Sequence, residues 1–383
     1  MKKFLLILSY ILVAAAAAVV TLAVAQPRSS ATMSKLDQLS LLIQTVFIEE
    51  PDVKAMSDAA AEAMVDSLGD QWSHYMDAES YAEYNAQMAN AYVGIGVTVT
   101  QGEDGYIHIL RVEAGGPALD AGMKAGDVIV AVEGEDIGGL SLEEVQNRIR
   151  GKEGTPVKLT VRREEETREI TITRRKIQVV VATGEMLEDG IGLVQIANFD
   201  ARCAEETLRI IEDLLAQGAE KLIFDVRYNP GGYQQELVKI LDYLLPEGPL
   251  FRSVNYAGQE TVDQSDARCL DIPMAVLING DSYSAAEFFA AALSEYEAAV
   301  TVGEPTTGKG YFQSAFTLVD GSAAVLSIGK YTTPKGVSLA DVGLTPDITV
   351  DVDEALYMEI YHGYVTYEED PQIQAAVEAL KAG

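Results

Sequence analysis

From Ile177 onward, short runs of apolar, mostly branched residues alternate with longer amphipathic ones. "GIGLVQIANF" precedes "AEETLRIIEDLLAQG", "KLIFDVR" precedes "YQQELVKILDYLL", and "PMAVLING" precedes "SAAEFFAAALSE". Strand-length runs followed by helix-length runs predict a β/α core. The strands "AAVTVGE", "SAFTLV" and "SAAVLSIGKYTT" extend it, so the core is expected over residues 177–351. The tail 352–383 carries one amphipathic piece, "DPQIQAAVEALKAG", read as a docking helix.

The chain before this core has a different rhythm. Over residues 34–90, apolar residues recur at helical spacing in "LSLLIQTVF" and "AMSDAAAEAMVDSLG", which predicts a small helical module. Over residues 91–176, "YVGIGVTVT", "GYIHILRV", "GDVIVAVEG", "VKLTVRR" and "REITITRR" are short strands bounded by glycine and acidic turns, with helical pieces at "GPALDAGM" and "SLEEVQNRIR". The expected class is therefore α+β, multidomain.

A chain of 383 residues, 48% hydrophobic and 23% charged, has enough apolar material for several packed cores. Its formal charge of −31 speaks against a nucleic-acid partner and against contact with an anionic lipid surface. Residues 1–26 stand apart: Lys2 and Lys3 precede an apolar run from Phe4 to Ala25, interrupted by Ser9, Tyr10 and Thr21. This reads as an export signal, either cleaved after Ala25 or retained as a membrane anchor, with the body of the chain outside the cytoplasm. Two cysteines, Cys203 and Cys269, build neither a disulfide framework nor a metal cluster. The histidines His74, His108 and His362 lack ligand spacing, so a metal site is not expected.

"YVGIGV" (Tyr92–Val97) sets two glycines before a strand. Such a turn can direct successive N–H groups at one anion, while the strand edge pairs with a peptide. The sequence that follows, "EAGGPALDAGMKAGDVIVAVEGEDIGGLSLEEVQNRIRGKEGTPVKLTVRR", resembles the body of a PDZ domain. The resemblance implies a peptide groove between Gly94–Thr100 and Ser141–Arg150. Backbone amides of Ile95, Gly96 and Val97 would cradle the terminal carboxylate of a bound polypeptide.

Within the β/α core before the tail there is no histidine, so a Ser–His–Asp triad cannot be assembled from core residues. Lysine is the remaining base, and it serves only when neutral, which burial favours. Lys309 lies in "TTGKGYFQ", between two glycines and ahead of two aromatics; Ser284 opens the helix "SAAEFFAAALSE" directly after a buried strand. Taken singly, Ser284 reads as a helix cap with Glu287 at the capping-box position, and Lys309 as a surface residue in a glycine turn. A third feature supports a site: "KLIFDVRYNPGG" feeds a strand into a Gly-Gly turn whose amides could stabilise an oxyanion.

Together, "DVRYNPGG", "NGDSYSAAE", "TTGKGYFQ" and "YTTPKGVSLADVGLTPDITV", in that order, resemble the C-terminal processing peptidases, or tail-specific proteases, of peptidase family S41; "SLGDQWSHYM" resembles their N-terminal module. The resemblance implies a β/α core of the ClpP/crotonase-like type and an endopeptidase with a Ser–Lys dyad. In this reading Ser284 is the nucleophile, Lys309 the base and Gln313 its orienting partner. Ala285 and either Gly231 or Gly232 supply oxyanion amides, and no cofactor is used. Unfolded polypeptides would be captured by their C-termini, and members of the family are often homodimers. Departures from the motif are Tyr283, Ala286 and Thr307. Two rival readings remain: a hydrophobic-ligand-binding relative of the same core, and a PDZ scaffold without catalysis.

Overall fold

A computed structural model describes residues 34–383 except Glu103, Ala114, Glu165 and Gly383. The expected export segment lies outside the described residues, and among those described no helix is long and apolar enough to cross a membrane. Residues up to Ser67 form one compact unit and Leu68–Gly383 another. In the first, helix α1 (Lys35–Val46) starts at Ser34, whose hydroxyl accepts from Asp37 N while the Asp37 carboxylate accepts from Ser34 N. Helix α2 (Val53–Asp66) is capped by Asp52. Each cap satisfies an amide that the helix itself leaves without an acceptor.

Among the described residues the second unit contains four sheets, one of them a two-stranded ladder. Strand β1 (His74–Met76) and helix α3 (Ala78–Met88) come first. The stretch read as helical to Asn90 thus includes a strand, and β1 pairs antiparallel with Ala323–Val325. A three-residue strand is too short to reveal a period of two, and its place is set by a partner some 250 residues away, as the Ser327 N to Ser73 Oγ bond beside it illustrates (|i−j| = 254).

Strands β3 (Val97–Gln101), β4 (Ile107–Val112), β5 (Val128–Val132), β7 (Pro156–Arg163) and β8 (Glu166–Thr173) form an antiparallel sheet, with the two-residue strand β6 (Glu135–Asp136) paired to β5. Helix α5 (Leu142–Ile149) buries Val145 and Ile149 in the same core as Ile95, Ile107, Ile129 and Leu159. Ser141 and Glu144 close a capping box at its start. The other helical piece shrinks to one turn, α4 (Pro117–Asp120). A ladder between β2 (Ala91–Gly94) and β9 (Arg175–Gln178) closes this region where the chain enters and leaves it.

The β/α core is built on β10 (Ala182–Met186), β11 (Ile191–Ile196), β12 (Lys221–Asp225), β15 (Met274–Ile278), β16 (Ala299–Gly303) and β19 (Ile348–Thr349), parallel except for β10. Every residue of β15 is buried, as a central parallel strand covered on both faces must be. Helices α6 (Cys203–Ala216), α7 (Gln234–Leu244) and α8 (Ala285–Glu295) share one hydrophobic cluster; in the tail α9 (Glu354–Tyr361) is followed by α10 (Pro371–Ala382), which packs Ile373, Ala376 and Leu380 into another. Burying Ile373 and Leu380 is worth roughly 1.5–3 kcal/mol each. Arg227, almost fully buried, pairs with Asp225 at 2.7 Å and with Asp370 at 2.8 Å, tying the tail to the end of β12. In the remaining sheet β13 (Gly248–Asn255) lies between β14 (Glu260–Ser265) and β18 (Ala323–Thr332), and β17 (Tyr311–Thr317) pairs with β18.

Candidate active site

Ser284 stands where β15 ends and α8 begins. The turn between them is pinned from within: Ser282 Oγ donates to Val226 O at 2.7 Å, and Asn279 Oδ1 accepts from Tyr228 N at 3.0 Å. Ser284 is held at φ 58°, ψ −125°, a conformation L-residues seldom adopt and that costs of order 1–3 kcal/mol. It is 9% exposed. Ala285, the first residue of α8, carries an amide for which the helix supplies no acceptor.

Beside it runs the turn at the end of β12. Asn229 donates from Nδ2 to Ile196 O at 2.8 Å, and its Oδ1 accepts from Gly231 N at 2.8 Å. Of the two glycines left open by sequence, Gly231 therefore has its N–H turned inward. A Cβ on Gly231 would lie 2.7 Å from Ser284 Cβ, and one on Gly232 would lie 2.4 Å from the Phe199 carbonyl carbon. With φ of 88° and 146° as well, neither position accepts a side chain.

The residue that joins these parts was legible in sequence only as a helix cap. Glu287, fully buried on the first turn of α8, accepts from Ser284 N (2.8 Å), Thr306 Oγ1 (2.6 Å), Gly308 N (2.7 Å) and Lys309 N (2.9 Å). One carboxylate thus clamps the serine turn to the lysine loop. Burial pushes its pKa up, and these four bonds oppose that shift. Its position three after Ser284 marked it only as a capping residue; the carboxylate does close a capping box on Ser284 N, and it reaches the lysine loop as well.

Ser284 Oγ lies 2.7 Å from the hydroxyl of Tyr331, a buried residue on β18. Among the described residues that is its hydrogen-bond partner, and Lys309 is not. The Lys309 Nζ stands 4.7 Å from the Trp72 ring centroid and 5.7 Å from that of Tyr283, two rings 6.3 Å apart and inclined by 30°. Burial lowers the Lys309 pKa; the carboxylates of Glu287 and Asp70 act in the opposite sense. Gln313, four residues on, is in strand β17 and donates from Nε2 to Tyr311 O and Ser327 Oγ, not to the lysine. Ser284, Tyr331, Lys309, Trp72, Tyr283 and Gln313 line one cleft of about 710 Å³, together with Gly231, Gly232 and Ala285. His74, which the sequence assigned to another module, lines it too, because β1 belongs to the sheet of β18. No hydrogen bond links it to Ser284 among the described residues.

Ile95, Gly96 and Val97 lie far along the chain in a second hollow. It is about 100 Å³, floored by Ile107, Val145 and Ile149 and edged by Arg150, between β3 and α5. Gly96 has φ 76°, and its carbonyl accepts from Glu113 N. Among the described residues no group of three or more His, Cys, Asp or Glu could hold a metal ion.

Comparison with known proteins identifies the family and its domains. Residues 190–350 match the model of peptidase family S41, residues 108–163 that of a PDZ domain, and residues 13–80 that of the activating protease CtpB N-terminal domain. The carboxy-terminal processing protease CtpA of Bacillus subtilis (strain 168) is 31% identical over 366 residues, covering 93% of this chain and 78% of that one. A carboxyl-terminal-processing protease of Synechocystis sp. is 32% identical over 332 residues, covering 85% of this chain and 77% of its own. The solved structure of a photosystem II D1 C-terminal processing protease superposes with a TM-score of 0.50 at 27% identity, covering 83% of this chain and 86% of that one. A match of this extent, over a core that presents a strained serine at a helix N-terminus, places the chain in peptidase family S41, among the C-terminal processing serine proteases that carry a PDZ domain.

Proposed function

We propose that Ser284 is the nucleophile and Lys309 its general base, and that the chain cuts unfolded or tail-exposed polypeptides outside the cytoplasm. The observation that carries this reading is the Glu287 clamp, which fixes the backbones of both residues on one cleft. In the conformation described, the pair is disengaged: the serine hydroxyl rests on Tyr331 and the amine over two rings. Catalysis then requires Ser284 to rotate and Lys309 to leave the rings. Neutral Lys309 takes the hydroxyl proton, and the oxygen attacks the peptide carbonyl. The protonated amine returns that proton to the leaving amine, and water hydrolyses the acyl-enzyme. Ala285 N, at the positive end of α8, and Gly232 N are the amides best placed to receive the oxyanion, since Gly231 N is committed to Asn229.

The PDZ groove supplies the second half of the reading. An extended C-terminal segment would add to β3 beside α5, its carboxylate at Ile95, Gly96 and Val97. The apolar run Phe4–Ala25 behind Lys2 and Lys3 supports export, with the segment either cleaved or kept as an anchor. Because His74 also lines the cleft, a Ser–His pair is the reading to be separated from Ser–Lys. The test is degradation of an unfolded protein with an apolar C-terminal tail by the parent and its Ser284→Ala, Lys309→Ala and His74→Ala variants. Loss of cutting with the first two and retention with the third is the expected pattern; loss with His74→Ala and retention with Lys309→Ala would reassign the base.

A further inference from the structure

The cleft contains an acid that the proposed chemistry does not use. Asp200 follows β11 in the sequence "IANFDARC", and its backbone is firmly held: its N–H donates to Asn198 Oδ1 at 3.0 Å and its carbonyl accepts from Cys203 N at 3.1 Å. The residue before it, Phe199, is knitted to the glycine turn, donating from N to Gly231 O at 2.7 Å and accepting from Tyr233 N at 2.8 Å. Asp200 is thereby set against Gly232, where a Cβ would stand 2.6 Å from Asp200 Oδ1. Since Gly231 in turn abuts Ser284, this carboxylate flanks the turn beside the nucleophile.

Its environment lacks a partner. Asp200 is 8% exposed, and its Oδ1 is buried with no hydrogen-bond donor among the described residues. The nearest arginine in sequence, Arg202, is spent on Glu206 Oε1, Asn90 O and Val179 O. Buried carboxylates are ordinarily hydrogen-bonded or ion-paired, so an orphan on a substrate cleft has the character of a half-built contact. Desolvation pushes its pKa up to about 7. Tyr84, Tyr233 and Tyr283 line the same cleft. Aromatic walls ending in a carboxylate suit a long aliphatic stem with a cationic head, which gains from the ring faces and from the acid together.

We propose that Asp200 determines specificity, its carboxylate receiving the side chain of a lysine or arginine of the bound polypeptide close to the bond that is cut. This rests on the reading of Ser284 as the nucleophile only in locating that bond. A neutral donor in the same place would satisfy the oxygen without the charge, so arginine should be favoured over its neutral isostere citrulline by about tenfold or more.

Two readouts on the full chain decide the matter. In the first, a mixed peptide library is digested by the parent and by Asp200→Asn, and cut sites are mapped by mass spectrometry. The expected result is enrichment of Lys or Arg at one position near the cut, lost in Asp200→Asn while cutting of neutral peptides persists. Identical profiles from the two proteins, or no basic enrichment by the parent, overturn the proposal. In the second, Ser284→Ala is titrated with arginine and citrulline versions of a C-terminally amidated peptide, which the PDZ groove would not take as a free tail. Emission of Trp72, the only tryptophan and a residue of the cleft, reports binding. Arginine should bind about tenfold more tightly, and the gap should close in Ser284→Ala/Asp200→Asn. A gap that is absent, or that survives the second substitution, overturns it. Failure of both proteins to cut any peptide would instead count against the peptidase reading, and the titration would still decide on Asp200.

Discussion

The Lys309 amine nitrogen stands 4.7 Å above the centre of the Trp72 ring, while the hydroxyl it is proposed to deprotonate is bonded elsewhere. A cation over a partly desolvated aromatic face gains about 1–2 kcal/mol, enough to hold the amine away from the serine most of the time. Trp72→Leu removes that attraction. It is expected to raise kcat severalfold, up to about thirtyfold if the whole gain is lost, with KM nearly unchanged. Steady-state kinetics on an unfolded substrate checks this; a fall in kcat would mean that Trp72 assists the reaction.

Tyr331 holds the other partner. Its phenol, buried and bonded to Ser284 Oγ, fixes the hydroxyl in a direction that leaves Lys309 aside. Tyr331→Phe keeps the ring contacts with Phe251 and Phe288 and deletes the bond alone, at a stability cost of about 1 kcal/mol. Covalent labelling of Ser284 by a fluorophosphonate should be faster in the variant at equal folded fraction. Equal labelling rates would show that the phenol does not restrain the nucleophile.

These two restraints mark where sequence reasoning stopped. The β/α alternation was legible because buried strands and amphipathic helices differ in period, and Ser284, Lys309 and the Gly-Gly turn lie in short motifs at strand ends. Tyr331 is 47 positions from Ser284, and Trp72 comes to Lys309 only because β1 joins the sheet of β18. No local pattern encodes such pairings. Glu287 was visible, but only as a helix cap, since its bonds to Gly308 and Lys309 depend on how a loop about 20 residues on folds back (|i−j| of 21 and 22). Gln313 came from the motif alone; its place in strand β17, with Nε2 on Tyr311 O and Ser327 Oγ, depends on the pairing of that strand with β18.

Protonation of Lys309 gives a pH signature with a definite sign. Burial lowers its folded pKa below the usual 10.5, so the neutral base appears at lower pH than in a free lysine. The rate should climb as pH rises through that lowered pKa, and the climb should vanish in Lys309→Ala. Stability follows the same direction: between the lowered folded pKa and 10.5 the unfolded chain binds more protons, so folding is favoured as pH rises. Urea midpoints across this range should increase more for the parent than for Lys309→Met. Parallel curves would place the amine in an ordinary solvated setting.

The PDZ groove predicts dependence on a free carboxylate. Amidating the C-terminus of an apolar-tailed peptide removes the charge that Ile95, Gly96 and Val97 are proposed to cradle near Arg150. Loss of a charge-assisted contact should weaken binding by about tenfold or more in calorimetry. Equal affinity of acid and amide would mean that the groove reads side chains alone.

Glu287 offers the most severe test of how the site is assembled. Its two oxygens accept four hydrogen bonds, three of them from backbone amides of Ser284, Gly308 and Lys309. A glutamine is nearly isosteric, yet its amide group can only donate, so whichever way it turns it faces at least one backbone N–H that has lost its acceptor. A buried unsatisfied donor costs about 1–3 kcal/mol, and relief comes only by moving the lysine loop away from α8. Glu287→Gln is therefore expected to lower the melting temperature and to abolish most activity. Hydrogen exchange should be faster at Gly308 and Lys309 than in the parent, with β12 and β15 still protected. If exchange at the loop were unchanged while activity fell, the carboxylate would act on the chemistry through its charge, and the clamp would not be what brings serine and lysine together.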